Sequence, residues 1–301
     1  MKVCVLLSTY NGEKYIGELL ESLYAQKNRD DIIVLARDDG SSDSTVQILN
    51  DWVKKLRMEI ICGENIGARD SFWELIKKAP EADFYAYCDQ DDIWESDKLR
   101  CAVDKLTDYD GSIPSLYACN IQCVNQYLEK IEPLNCFQQE DITIQRIFVS
   151  NCILGCTMVF NRELLKKLRK IDFSVFFMHD VVTVLTALVT GVFIYDEDKH
   201  MLYRQQENSV TQKKAQSFTK KIKNSCNLWF RSKERSISKQ ADELLKDFSG
   251  EINHSDKEKL ELIRTYKSKF NRFKVIGDSQ YRSNNGRENR SFLVRVILGL
   301  A

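Results

Sequence analysis

Four short runs dominate the first third of the chain: Val3–Leu7, Ile32–Ala36, Met58–Cys62 and Phe84–Cys88. Apolar runs of this length, bounded by turn residues, read as strands buried on both faces, as parallel strands are. Between them the apolar residues change to helical spacing. Ile16, Leu19, Leu20 and Leu23 share one face, then Val46, Leu49, Trp52, Val53 and Leu56, then Phe72, Leu75 and Ile76. Strand and helix alternating at this pace predict a Rossmann-like α/β layer with a mostly parallel sheet.

Each strand stops in small, polar or acidic residues. The stops are Ser8 to Gly12, Asp38 to Asp43, Gly63 to Gly67, and Asp89-Gln90-Asp91-Asp92. In a parallel sheet these ends share one edge, where open α/β folds bind ligands. Ser8, Tyr10, Asp39, Asn65 and Asp91 should therefore converge. Any one of these turns is compatible with plain loop chemistry, since Asn, Gly, Ser and Asp favour turns; four in succession ask for more. Asp89 and Asp91, one residue apart at a strand end, can share a hard divalent cation and leave its other positions to waters and phosphate oxygens. The competing reading is an acidic turn, with Ser96 capping the helix that follows at Asp97. Neither GxGxxG nor GxxxxGK[ST] occurs, which leaves a dinucleotide oxidoreductase and a P-loop NTPase unsupported.

Farther along, a helix carries Leu99, Ala102, Val103 and Leu106, Leu116–Val124 reads as a strand, and 125–148 as a loop and a short helix. Leu154–Phe160 reads as another strand, with Asn161 capping a helix over Arg162–Arg169. Gly155 and Cys156 are small enough to let a ligand approach the backbone. Phe176 to Asp180 leads into an apolar helix, Val181–Thr190, where an acid could be only a cap. A short strand, Val192–Tyr195, and the segment Tyr203–Ser209 close a domain expected to span 1–211.

The net charge of zero hides an asymmetry: residues 212–301 hold 21 Lys and Arg against 10 Asp and Glu. This part reads as a basic helical extension, with Phe218, Ile222, Leu228 and Trp229, then Leu260, Ile263, Tyr266 and Phe270, as its apolar positions. It ends in an apolar segment, Phe292–Ala301, behind Arg282, Arg287 and Arg290. Two readings stay open for that tail: adsorption to an anionic membrane surface, or a helix packed on the α/β layer. Ten scattered cysteines without a CxxC pair read as reduced thiols. Val3–Leu7 is too short for a signal core, and no apolar stretch approaches the ~18 residues that span a bilayer. The expectation is a cytoplasmic protein with no nucleic-acid partner, peripheral on the inner face of the membrane if the first reading of the tail holds.

Taken together, the motifs resemble the family-2 glycosyltransferases, inverting enzymes with the GT-A fold. Leu7–Gly12 and Arg37–Asp43 look like that family's first two nucleotide-binding turns, and Asp89–Trp94 like its DXD metal motif in the form common among bacterial rhamnosyltransferases. Gly155–Asn161 and Met178-His179-Asp180 are similar to that subgroup's acceptor-side strand and catalytic-base motif. The resemblance covers residues 3–211. It departs at Gln206, where the subgroup often has His, and at Asn120, where many relatives carry an acid; beyond Gln212 it offers no motif.

The resemblance implies a nucleotide-sugar donor, dTDP- or UDP-linked, with Tyr10 stacking on the base, Asp39 hydrogen-bonding it, and Ser8 and Asn65 assisting from the same edge. Asp91 is the implied main ligand of Mg²⁺ or Mn²⁺, with Asp89 in support. Arg204 would add a second cation to the diphosphate, and Asp180 would be the general base. The implied reaction moves rhamnose from dTDP-rhamnose to a glycan or lipid-linked acceptor in cell-surface polysaccharide synthesis. A UDP-sugar-dependent galactosyl- or glucosyltransferase of the same fold is the nearest alternative. A non-catalytic carbohydrate-binding scaffold is disfavoured by the intact Asp39, Asp89, Asp91 and Asp180. A nucleotidyltransferase would want a Gly-rich loop after the first strand, where only Gly12 stands.

Overall fold

The computed structural model of the chain describes residues 1–27, 31–132, 142–205, 236–283, 286–299 and 301. The helical reading around Phe218, Ile222, Leu228 and Trp229, and position Gln206, lie outside the described residues.

The first half is laid out as its periodicity predicts. Strands β1 (Val3–Thr9), β2 (Ile32–Asp38), β3 (Met58–Cys62) and β4 (Phe84–Asp89) pair in parallel in the order β3-β2-β1-β4. Helices α1 (Ile16–Tyr24), α2 (Thr45–Leu56) and α3 (Ala68–Lys78) cross over between them. Beyond β4 the sheet continues as β7 (Met158–Asn161), β6 (Ser115–Val124), β8 (Val192–Arg204) and the two-residue β5 (Ile93–Trp94). Here β7 runs antiparallel to both of its neighbours, β8 parallel to β6, and β5 antiparallel to β8.

Successive side chains of a strand face opposite ways, and β1 shows this cleanly. Val3, Val5 and Leu7 pack into a core with α1, α2 and α4 (Lys98–Thr107). Cys4 and Leu6 face a second core, formed by α3, α5 (Ile144–Val149), α6 (Arg162–Leu168) and α7 (His179–Thr190). The C-terminal helices α8 (Ile237–Phe248), α9 (His254–Arg264), α10 (Lys269–Gly277) and α11 (Gly286–Leu298) add Leu244, Leu260, Val275 and Phe292 to that second core. α7 is apolar on nearly every face because most of it is buried. No helix among the described residues is long and apolar enough to cross a membrane.

Four expectations are corrected. α4 starts at Lys98 with Asp97 at its N-cap and no side-chain capping bond; Ser96 is not the cap, and its carbonyl accepts from the Lys27 amide. The run from Leu154 is a 3-10 turn over Gly155–Thr157 before β7 begins, because the Thr157 hydroxyl folds back onto the Leu154 carbonyl at 2.7 Å. β8 reaches Arg204, not Tyr195: its charged stretch Asp196–His200 hides the strand from an apolar count, while irregular pairing with β6 carries it through. Phe270 is 69% exposed and is not a core position, whereas Leu260, Ile263 and Tyr266 are buried. Asn161 does cap α6, accepting from the Leu164 amide at 3.0 Å.

Candidate active site

The strand ends meet because of register. Ser8 of β1 lies opposite Arg37 of β2 on one side and Asp89 of β4 on the other. The loops that follow are tied together by hydrogen bonds. The Gln90 amide exchanges two with the Tyr10 backbone, at 2.8 and 2.9 Å. The Asn11 side chain accepts from the Ser42 amide, and the Asn11 amide donates to the Ser41 hydroxyl. A Cβ on Gly12 would stand 2.2 Å from the Gln90 side-chain oxygen, so a larger residue there must displace the Gln90 amide from the Tyr10 backbone.

Asp39 is buried at the start of α3. Its Oδ1 accepts from Arg37 at 2.5 Å and from the Ile66 amide, and its Oδ2 from the Gly67 amide at 2.8 Å. Arg37 and the helix entrance thus fix the carboxylate, and its remaining lone pair is available to a donor. Tyr10 is 47% exposed, as a residue offering a stacking surface would be. Ser8 is turned to Ser71 of α3, hydroxyl to hydroxyl at 2.7 Å. Asn65 is exposed beside Gly40. All five strand-end residues lie on one edge of the sheet.

The acidic turn has two layers. Asp92 is buried, its Oδ1 accepts from the Arg204 amide, and its Oδ2 has no hydrogen-bond partner. Asp89, Asp92 and the Cys156 thiol each offer one atom within 4.8 Å of the others. Asp89 and Asp91 form the half-buried upper layer. Burial, and then the charges of Asp91 and Asp180, push the Asp89 carboxyl above the ordinary carboxylate range; burial, Asp91 and Asp89 do the same to Asp92. Beneath them lies Lys98, fully buried. Its ammonium donates to the Cys156 carbonyl at 2.5 Å and sits 3.4 Å over the Trp94 ring. The buried Asp92 Oδ2 without a partner, among converging acids, fits a hard divalent cation; Asp89, and half-buried Asp91 whose charge acts on it, are the acids that could hold Mg²⁺ or Mn²⁺. The thiol below belongs to the buried layer, since hard cations favour oxygen.

Asp180 lies in the first turn of α7, half-buried, with the Val181 amide donating to it at 2.7 Å. Burial raises its carboxyl to about 6, against the lowering pull of the Val181 amide and the Asn151 side chain. The preceding His179 is buried with neither ring nitrogen hydrogen-bonded. Its ring stacks on Phe72 at 3.9 Å and meets the edge of Tyr87 at 4.7 Å. Burial holds the imidazole down to about 3, so it is neutral. The Tyr87 hydroxyl bonds Thr183, whose own hydroxyl donates to the His179 carbonyl, which pins α7 to β4.

Arg204 is placed differently from a diphosphate ligand. It is 3% exposed; Nε donates to the Asp91 carbonyl at 2.9 Å, and the guanidinium also bonds Glu18 and the Gln126 carbonyl over the Tyr15 ring. It is a strut that shapes the acidic turn. Asn120 is tied to the Glu197 carbonyl at 3.2 Å. The sequence reading missed Gln90, Asn151 and Lys98. Lys98 left one signal: it precedes Ala102 and Leu106 by four and eight residues, on the apolar face of α4. Gln90 and Asn151 act through loop contacts that carry no periodicity.

The family model described as Glycosyl transferase family 2 matches residues 4–169. The dTDP-rhamnosyl transferase RfbG of Shigella flexneri is 28% identical over 221 residues, covering 67% of this chain and 72% of that protein. Poly(ribitol-phosphate) beta-N-acetylglucosaminyltransferase TarS of Staphylococcus aureus is 32% identical over 117 residues, 38% of this chain and only 20% of that protein. In three dimensions, S. aureus TarS 1-349 in complex with UDP-GlcNAc aligns with a TM-score of 0.64 at 18% identity, covering 100% of this chain and 82% of that one. The mannosyltransferase PcManGT from Pyrobaculum calidifontis, in complex with GDP-Man and Mn²⁺, aligns at 0.55 and 17% identity, covering 100% of this chain and 81% of that one. At these identities the structural likenesses speak to the fold.

Proposed function

The chain belongs to glycosyl transferase family 2, and from that premise we propose that it moves rhamnose from dTDP-rhamnose, with inversion, to a glycan or lipid-linked acceptor in cell-surface polysaccharide synthesis. The observation that carries the reading is that His179 and Thr183 of α7 both touch Tyr87 of β4, which brings Asp180 toward the acidic end of that strand. This reading puts the donor at the Asp89–Asp92 turn, and the charge of Asp180 acts on Asp89. The likeness to the rhamnosyl transferase favours the donor. The TarS likeness favours a UDP-sugar as the second reading.

In this reading Tyr10 stacks on the nucleotide base and Asp39, held by Arg37, hydrogen-bonds it. Asp89 and Asp91 would hold Mg²⁺ or Mn²⁺, whose charge would offset that of the departing diphosphate. Asp180 takes the proton of an acceptor hydroxyl as that oxygen attacks the anomeric carbon from the face opposite the nucleotide. The bond from that carbon to the diphosphate oxygen breaks, and its electron pair leaves with the nucleoside diphosphate. Lys98 lies buried under the acids, its ammonium held by the Cys156 carbonyl, with burial lowering its pKa and the nearby thiols and Asp92 opposing that.

Calorimetry with dTDP, UDP and GDP, each with Mn²⁺ and with EDTA, tests this. The expected result is tightest binding of dTDP, weakened by EDTA, with the metal-dependent part lost in Asp91→Ala while melting stays near wild type. Nucleotide affinity indifferent to EDTA in both proteins would remove the metal role. A preference for UDP would shift the donor to the second reading.

A further inference from the structure

Two phenylalanines on α10, Phe270 and Phe273, are 69% and 74% exposed, the most exposed of their kind among the described residues. They stand one turn apart on the side of α10 opposite buried Val275. α10 is joined to α11 by Arg272, which donates to the Ile297 carbonyl at 3.1 Å. On α11 Phe292 and Val296 turn inward, while Val294 and Ile297 are 53% and 54% exposed. The apolar tail is therefore half packed, and its outward half lies on the helix next to the two exposed rings. The surroundings are strongly basic: residues 267–301 carry eight Lys and Arg against two Asp and Glu. Lys274 lies 4.5 Å over the Phe270 ring, and Lys267 and Lys269 are exposed beside it.

Exposed aromatic rings beside the exposed Lys267, Lys269 and Lys274 suit the boundary between anionic headgroups and acyl chains. We propose that the outer face of α10, with Val294 and Ile297 of α11, docks this protein on an anionic lipid surface. The proposal rests on the lipid-linked acceptor reading for its purpose, and the fold gives it a route. α9 and α11 pack on α5, which packs on α7, the helix that carries Asp180 in its first turn. The lipid-facing helices and the base are thus separated by a single short helix.

The test is flotation of the full chain with phosphatidylglycerol-containing vesicles and with pure phosphatidylcholine vesicles. Wild type should bind the anionic vesicles on the order of ten-fold more tightly or better, and lose that preference as salt rises. Phe270→Ser with Phe273→Ser should weaken binding by roughly ten-fold, and Lys269→Glu with Lys274→Glu by at least as much. Both pairs should melt like wild type, because these side chains are exposed. Equal binding of wild type to both vesicle types, or a Phe270/Phe273 variant that binds as wild type does, overturns the proposal. So does self-association that those two substitutions abolish without any vesicle binding. Transfer to a water-soluble acceptor separates the two readings. Transfer without vesicle binding leaves the enzyme and removes the lipid surface; vesicle binding without transfer does the reverse.

Discussion

Asp180 carries the chemistry proposed for this chain, and its environment makes that role testable. A general base must be ionised, and burial raises this carboxyl to about 6. Transfer should rise with pH through about 6 and level off above it. The stability effect has the opposite sign. The folded-state value lies above the ~3.9 of an unfolded Asp, so the folded protein binds this proton more tightly, and the group destabilises it at neutral pH. Asp180→Asn should therefore melt at or slightly above wild type at pH 7, the gain kept to about 1 kcal/mol by partial exposure. Transfer should fall by roughly 10²–10⁴, because an amide takes up no proton. A variant that transfers within a few-fold of wild type, read in the same assay that gives the pH profile, would reduce Asp180 to a helix-terminal acid.

At the scale of elements, α7 is aimed by what its first residue touches. His179 fills the space between Phe72, Tyr87 and the 3-10 turn before β7, and a Cβ on Gly155 would stand 2.3 Å from its Nε2. Gly155→Ala must push the ring, and α7 with it, because Phe72 and Tyr87 are buried and leave little room on the other side. Overpacking of this kind costs about 1–3 kcal/mol. A displacement of the base near 1 Å lowers turnover by about 10². We expect Gly155→Ala to lose turnover in that range with nucleotide affinity unchanged, since Asp39 and Tyr10 stand on other elements. Loss of nucleotide binding in parallel would mean that the turn supports the donor side instead.

At the scale of the whole molecule, the basic C-terminal helices are part of the second core. Ile237, Leu244, Phe248, Leu260 and Phe292 cluster with Leu165, Phe173 and Val184 of the α/β layer. Each large apolar side chain returned to water costs about 1.5–3 kcal/mol, and a protein of this kind holds only about 5–15 kcal/mol in total. A chain ending at residue 211 should thus lose cooperative melting, whatever its catalytic residues. Thermal denaturation of that truncation followed by near-ultraviolet circular dichroism checks this. A sharp transition close to that of the full chain would show that the α/β layer folds alone.

How much of this was legible in the sequence follows from which forces act locally. The parallel half of the sheet, α1 to α4 and the Asn161 cap are written in periodicity and turn chemistry, which act within a few residues. The edge that gathers Ser8, Tyr10, Asp39, Asn65 and Asp91 follows from strand direction alone. Long-range contacts decided the rest. β8 persists through charged residues because β6 supplies the hydrogen bonds, so its own composition does not reveal it. Arg204 looks like a free cation in sequence, yet Glu18 and the carbonyls of Asp91 and Gln126, brought in from distant loops, occupy its guanidinium. Lys98 becomes the counter-charge to a buried acid layer only because the turn before β7 places the Cys156 carbonyl above it. Phe270 fits a helical stripe as well as any core residue does, and only the packing of α10 against its neighbours leaves it facing outward. A pattern fixes which faces of an element are apolar; which of those faces finds a partner is decided by the assembled fold.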